Sequence, residues 1–270
     1  MPFVVELICL GTELLIGRIL NTNAHWLAKN ITRLGGQVQR ITIAGDQLHE
    51  IQSVLHDALN RKPALIITTG GLGPTFDDKT LEAVALALNV PLTINSTALH
   101  IIRQKYKQYE HVRKEKLELT PARLKMAKLP KDSRALPNPV GTAPAVLSTS
   151  GPSTIINLPG VPSEMKAIFH ASIVPLITEA VGNLQFYEKN LLVKEIIESA
   201  LAPLIDRTMT QYPEVYIKSH PQAAEPIPVI DLHLSTSASA KRDAVNNLKA
   251  VELLITRLIT ENGGIVHSSS

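Results

Sequence analysis

The stretch Leu65-Ile66-Ile67-Thr68-Thr69-Gly70-Gly71-Leu72-Gly73-Pro74-Thr75-Phe76-Asp77-Asp78-Lys79-Thr80 leaves a chain few ways to fold. Its short, unbroken apolar run reads as a strand buried on both faces, and such strands belong to parallel sheets covered by helices. The run ends in two threonines, passes through three glycines and a proline, and enters an amphipathic helix at about residue 80. A strand-to-helix turn of this kind presents backbone N–H groups at a helix start, which suits an anionic group such as phosphate. Asp77 and Asp78 beside it add metal-binding or proton-transfer capacity. The turn is not a Walker A loop, because Gly73 is followed by Pro74 and Thr75. It is not a dinucleotide fingerprint either, since Phe76 stands where the third glycine belongs. A plain turn with Asp77 or Asp78 capping the helix accounts for one aspartate and leaves the glycine cluster unexplained.

The same alternation runs through the first 90 residues. Apolar runs predict strands at 4–10, 38–44 and 64–68, and 3.6-residue spacing predicts helices at 22–34, 48–60 and 80–89. This order implies a parallel sheet wound by right-handed crossovers, with ligands beyond the carboxyl ends of the strands. The loops 11–17, 45–47 and 70–78 leave those ends and bring Glu13, Asp46, Asp77 and Asp78 to one rim. Residues 96–119 form a polar helical stretch, read mainly as a solvated face. The segment 138–144 is a rigid loop with polar tips, and 145–148 with 154–158 form a hairpin turning at 150–153. At 158–165 a strand end turns into a helix, with Ser163 as its cap and Glu164 as either a helix-dipole partner or a further rim carboxylate.

Composition shifts near Gly182-Asn183. Beyond it, a strand at 186–193, a helix at 196–210, strands at 215–219 and 227–234 and a helix at 241–261 make a small α+β lobe. No glycine occurs between Gly182 and Gly263, so the Gly-x-x-Gly clamp of RNA-binding KH modules is missing. A net charge of +3 and an aromatic content of 4% speak against a nucleic-acid partner and fit an enzyme that attracts small anions. Cys9, the only cysteine, lies in an apolar strand, which excludes disulfides and cysteine-based zinc. No signal peptide or membrane span is legible, so no membrane partner is expected and the expected location is cytoplasmic. His25, His49 and His100 read as surface or helix-end residues, and Trp26 as packing.

These loops carry a signature. The chain resembles the CinA family, whose N-terminal domain belongs to the molybdopterin-binding MoaB/MogA superfamily. The matching residues are Gly11-Thr12-Glu13-Leu14-Leu15 with Gly17, Asn21-Thr22-Asn23, Gly45-Asp46, the run from Thr68 to Asp78 with Thr80, Asn138-Pro139-Val140-Gly141-Thr142-Ala143-Pro144, and Leu158-Pro159-Gly160-Val161-Pro162 with Glu164-Met165. The chain departs from the family at Ala145 and Glu195, where glycine is usual. It also ends before a C-terminal nicotinamide-mononucleotide deamidase domain could begin, so deamidase activity is not expected.

The resemblance implies a three-layer α/β sandwich with a mostly parallel sheet over residues 1–182 and a KH-like α+β lobe over 183–267. It implies metal-dependent hydrolysis of a nucleotide diphosphate, an ADP-ribose pyrophosphatase with FAD as a related substrate, in a homodimer. Asp46, Asp78 and Glu13 would be catalytic, with Asp46 and Asp78 holding Mg²⁺, Mn²⁺ or Co²⁺ and K⁺ as a further candidate ion. Thr69, Gly70, Gly71, Leu72, Gly73, Thr75, Asn138, Gly141, Thr142 and Glu164 would bind substrate. The phosphates are expected over residues 70–73, and the nucleoside is expected to be read by the Asn138 amide. The alternatives are a molybdopterin-binding protein of molybdenum cofactor biosynthesis and a non-catalytic nucleotide-binding module.

Overall fold

The apolar runs become strands and the 3.6-residue patterns become helices. The structure, a computed structural model, describes residues 2–114, 118–222 and 228–268. It divides into two compact units, residues 1–32 with 36–181 and residues 33–35 with 182–270. The first begins with β1 (Val4–Leu10), α1 (Thr12–Leu15), α2 (Thr22–Arg33), β2 (Gln37–Ala44), α3 (Leu48–Arg61), β3 (Leu65–Thr69) and α4 (Thr80–Ala87). An excursion follows: β4 (Leu92–Ile94), α5 (Ser96–Arg113), α6 (Pro121–Lys125), β5 (Lys128–Pro130) and β6 (Arg134–Leu136). The unit closes with β7 (Ala145–Ser150), β8 (Ser153–Leu158) and α7 (Pro162–Ile168), which continues through one π turn (Phe169–Ile173) into α8 (Val174–Val181).

The main sheet has the order β2-β1-β3-β8-β7-β6. Its first four strands run parallel, and β7 and β6 add on antiparallel. The pairs Leu10↔Ala44, Cys9↔Thr69 and Thr69↔Leu158 bring four carboxyl ends to one rim. All of β3 and nearly all of β1 are buried, Cys9 included, which is why both are mainly apolar, Glu6 of β1 excepted. Ile8, Ile66 and Ile155 of the sheet pack on Ile51, Leu55 and Val84 of α3 and α4. A second cluster joins Leu72, Ala98, Ile102, Met126, Leu129 and Val146. The polar stretch is therefore not simply a solvated face, because α5 buries Ala98 and Ile102.

Caps settle the helix starts. Asn21 accepts from the Ala24 N–H at 3.0 Å at the head of α2, and Asn95 does the same for Ala98 in α5 at 3.0 Å. Ser163 does not cap α7: Pro162 takes the first helical position and Val161 precedes it. Trp26 meets Phe169 edge-on, with ring centroids 5.1 Å apart, and so serves packing as expected.

The second unit contains β9 (Gln185–Lys194), α9 (Glu198–Gln211), β10 (Tyr216–Pro221), β11 (Val229–Ala238), α10 (Lys241–Glu261) and β12 (Ile265–Ser268). Its antiparallel sheet has the order β10-β11-β9-β12, and Leu191, Val193, Leu232, Leu201, Val251 and Ile255 form its core. The expected strand start at residue 227 lies outside the described residues. The sequence reading did not anticipate β12. Glu195 adopts φ of 64°, in the left-handed region that favours glycine. Among the described residues no helix is long and apolar enough to cross a membrane.

One charge is placed against the burial rule. Glu6, in the middle of β1, has a side chain only 2% exposed. Arg61 at the end of α3 answers it with two bonds, Nε to Oε1 and Nη2 to Oε2, both 2.7 Å. Removing the guanidinium would leave a buried carboxylate without its partner. Arg61→Ala should therefore lower unfolding stability by about 3 kcal/mol in denaturant titration. Arg61→Lys, which cannot form the fork, should recover only part of it. An Arg61→Ala protein as stable as wild type would show that water alone satisfies Glu6.

Candidate functional site

From β1 the chain winds out to β2, whereas β3 has β8 on its other side. Connections that diverge to opposite sides open a crevice beyond the carboxyl ends of the two central strands. A cavity of about 540 Å³ lies there. It is bounded by Gly11 and Glu13 after β1, Asp46 after β2, residues 70–74 with Asp77 and Asp78 after β3, and Gly160, Val161 and Glu164 after β8.

The glycine turn is built by close approach. Gly70 and Gly71 have φ of 106° and 67°, a region that strains residues with a side chain. A Cβ on Gly70 would fall on the Leu10 carbonyl, one on Gly71 would fall on the Thr80 hydroxyl, and one on Gly73 would lie 2.6 Å from Asp78 Oδ2. These directions are filled by the protein itself, so the glycines let the turn fold onto its own neighbours. Thr80 Oγ1 donates to Gly70 O at 2.7 Å, and Gly70 N donates to Leu158 O at 2.9 Å. Gly70 therefore has no amide hydrogen left for a phosphate. The N–H groups of Gly71, Leu72 and Gly73 donate to no protein acceptor among the described residues, and all three residues line the cavity.

The carboxylates share one pattern. Asp46 Oδ2 accepts from Thr12 N at 2.8 Å and Thr12 Oγ1 at 2.7 Å. Asp78 Oδ2 accepts from Thr75 N at 2.8 Å and Thr75 Oγ1 at 2.6 Å. Glu164 Oε2 accepts from Asn138 Nδ2 at 2.6 Å. In each, one oxygen is held by a loop and the other has no hydrogen-bond partner among the described residues. Glu13 differs, its carboxylate lying over Gly11. The Thr75 hydroxyl also reaches Asp77 Oδ1, so its single proton serves two carboxylates in turn. Asp77 does not cap α4, which starts after Lys79 without a side-chain cap. Its carboxyl is held below the usual carboxylate range by the Thr75 hydrogen bond first, then by its own backbone N–H, with smaller help from the Lys125 and Lys79 charges.

Among the described residues no three His, Cys, Asp or Glu side chains gather into a closed metal site. Two carboxylates with one free oxygen each still suit a hard cation that keeps several waters and takes further ligands from a phosphate. Asp46 and Asp78 each leave one oxygen that such a cation would take.

Of the expected site residues, Glu13, Asp46, Gly70, Gly71, Leu72, Gly73, Asp78, Thr142 and Glu164 line the cavity, whereas Thr69, Thr75, Asn138 and Gly141 do not. Thr69 lines a smaller pocket of about 160 Å³ that shares Leu10, Glu13 and Gly160 with the main one. Thr75 works through the aspartates it holds. Asn138 corrects its expectation. It is 2% exposed, its Oδ1 accepts from Val140 N and Gly141 N, and its Nδ2 donates to Ala143 O and Glu164. An amide so fully used cannot also read a base or ribose. Tyr106 and Met126 line the cavity and were not anticipated. The signal was present, since Ala98, Ile102 and Tyr106 follow helical spacing along α5. Lys105 Nζ donates to Pro139 O at 2.9 Å and Lys125 Nζ to Thr75 O, tying the excursion to both loops.

Known proteins resemble this chain in sequence and fold. Residues 6–179 match the family described as "Probable molybdopterin binding domain". A protein of Pyrobaculum arsenaticum is 40% identical over 265 residues, which is 98% of this chain and 97% of its own length. One of Aeropyrum pernix is 40% identical over 262 residues, 96% of this chain and 95% of its own length. A solved structure from Thermoplasma acidophilum, described as the protein CinA with unknown function, is 40% identical, covers 65% of this chain and 98% of its own, and superposes with a TM-score of 0.59. The chain belongs to the CinA family, and its residues 6–179 are a domain of the molybdopterin-binding type.

Proposed function

We propose that the cavity binds an adenosine joined through a diphosphate to a second group, and that the protein cleaves the diphosphate. One observation carries the reading: three successive unpaired N–H groups, at Gly71, Leu72 and Gly73, stand beside two carboxylates with an uncommitted oxygen each. Cleaving a diphosphate requires charge neutralised on its oxygens, a positioned water and an in-line approach. The amide groups hold one phosphate, and Asp46 and Asp78 hold a divalent cation of the Mg²⁺, Mn²⁺ or Co²⁺ type. That cation supplies charge neutralisation on the diphosphate. Glu13 or one of the aspartates accepts the proton of the attacking water. ADP-ribose is the type substrate, with FAD beside it.

A second reading is favoured by the domain type matched over residues 6–179. In it the ligand is molybdopterin or its adenylated form, bound in molybdenum cofactor synthesis, and ADP-ribose is not hydrolysed. Incubation with ADP-ribose, with divalent metal and with EDTA, separates the two. Chromatography should show AMP and ribose 5-phosphate only with metal. Tight pterin binding without these products would favour the second reading, and binding of neither ligand would remove both.

In the hydrolytic reading, Asp78→Asn should lower turnover by about 10²-fold or more without loss of circular-dichroism signal, because Asp78 sits on the rim. Full turnover by the folded variant would end its assigned role, and Asp77→Asn should cost less.

Thr75→Val should remove the hydroxyl bond from both aspartates while Asp78 keeps the backbone N–H of residue 75, and the Asp77 titration followed by NMR should move up toward the ordinary carboxylate value. Because the folded value is depressed, the stability Asp77 contributes is present above its unfolded pKa and is lost as pH falls through the folded one. Acid destabilisation over that range should be shallower in Thr75→Val. An unmoved Asp77 titration would show that the hydroxyl is not its cause.

A further inference from the structure

We propose that Glu164 accepts hydrogen bonds from the ribose hydroxyls of the bound nucleotide, with Asn138 and Gly141 as its positioning residues. This rests on the reading of the cavity as a nucleotide-phosphate site.

A carboxylate on the wall of a phosphate-binding cavity repels the phosphates themselves. An uncharged donor beside the phosphates answers it without a second cation. The support for Glu164 is unusually complete. Asn138 is buried with both acceptor positions facing the N–H groups of Val140 and Gly141, which fixes the amide orientation and aims Nδ2 at Ala143 O and at Glu164. The bond to Glu164 Oε2, at 2.6 Å, is charge-assisted. A Cβ on Gly141 would fall on the carboxylate, so the absence of a side chain there leaves room for it. Glu164 Oε1 remains without a hydrogen-bond partner.

Position selects the ribose. A Cβ on Gly160 would meet Gly70 Cα at 3.4 Å, so the turn after β8 lies directly on the phosphate-binding turn. Glu164 follows four residues later, in the first turn of α7. In a nucleotide whose phosphate rests on residues 71–73, the group next to the phosphate is the sugar. Acceptance of ribose hydroxyls by a fixed carboxylate is established chemistry in other nucleotide sites.

Calorimetric titration in EDTA with ADP, 2′,3′-dideoxy-ADP and inorganic pyrophosphate tests this on wild type, Glu164→Ala and Gly141→Ala. Wild type should bind ADP about tenfold or more tighter than the dideoxy analogue, the effect of hydrogen bonds to a charged group. Both variants should bind ADP as weakly as dideoxy-ADP, with pyrophosphate affinity unchanged. Equal wild-type affinity for ADP and dideoxy-ADP overturns the proposal, as does a wild-type preference retained in Glu164→Ala. Parallel weakening of all three ligands in the variants would make the assembly merely structural and overturn it as well. Failure of wild type to bind even pyrophosphate would instead overturn the phosphate site itself, and the proposal with it.

Discussion

The closeness with which β1, β3 and β8 release the chain at a common rim is the constraint on which the rest depends. There the turn after β3 touches the Leu10 carbonyl on one side and lies against the turn after β8 on the other, and only glycine fits at residue 70. A side chain at residue 70 would drive the strand ends apart. The amide groups of Gly71, Leu72 and Gly73 would then lose their common direction. The hydrogen bond from Thr80 to Gly70 O locks this approach to the start of α4, so helix and turn are set together. A backbone packing condition thus becomes an electrostatic property, because aligned amides form a concavity of positive potential.

The acidic groups complement that concavity without being consumed by it. Asp46, Asp78 and Glu164 are each tethered through a single oxygen, by Thr12, Thr75 and Asn138. Tethering restricts the side chain before any ligand arrives, which lowers the ordering cost of binding. The free oxygen keeps its capacity for a cation or a hydroxyl. Backbone donors are held in a rigid turn and carboxylates in braced loops, so the two kinds of group can be tuned by different residues.

Much of this was legible in the amino-acid order. The strand of residues 65–69 and the glycine cluster announce a βα turn because burial on both faces and φ above zero each demand particular residue types. Asp46 and Asp78 could be placed at the rim from strand order alone. Other features were hidden for physical reasons. The strands β4, β5 and β6 have three residues each, too short for a period of two to show. The side chain of Asn138 has the same chemistry whether it faces a ligand or its own loop, and only the fold reveals that four bonds already occupy it. Tyr106 sits among charged neighbours that mask its helical spacing from Ala98 and Ile102.

Glu195 shows how loosely a motif is bound to its geometry. The residue holds φ of 64° just before α9, a conformation that costs a non-glycine residue roughly 1–2 kcal/mol. The reversal from β9 into α9 is held by the core of Leu191, Val193 and Leu201 on either side, which fixes where the chain must go. Shape at this corner is inherited from the packing around it, and the residue is free to vary at a modest energetic penalty. A left-handed corner can therefore be made without glycine where the core on both sides holds the chain to it.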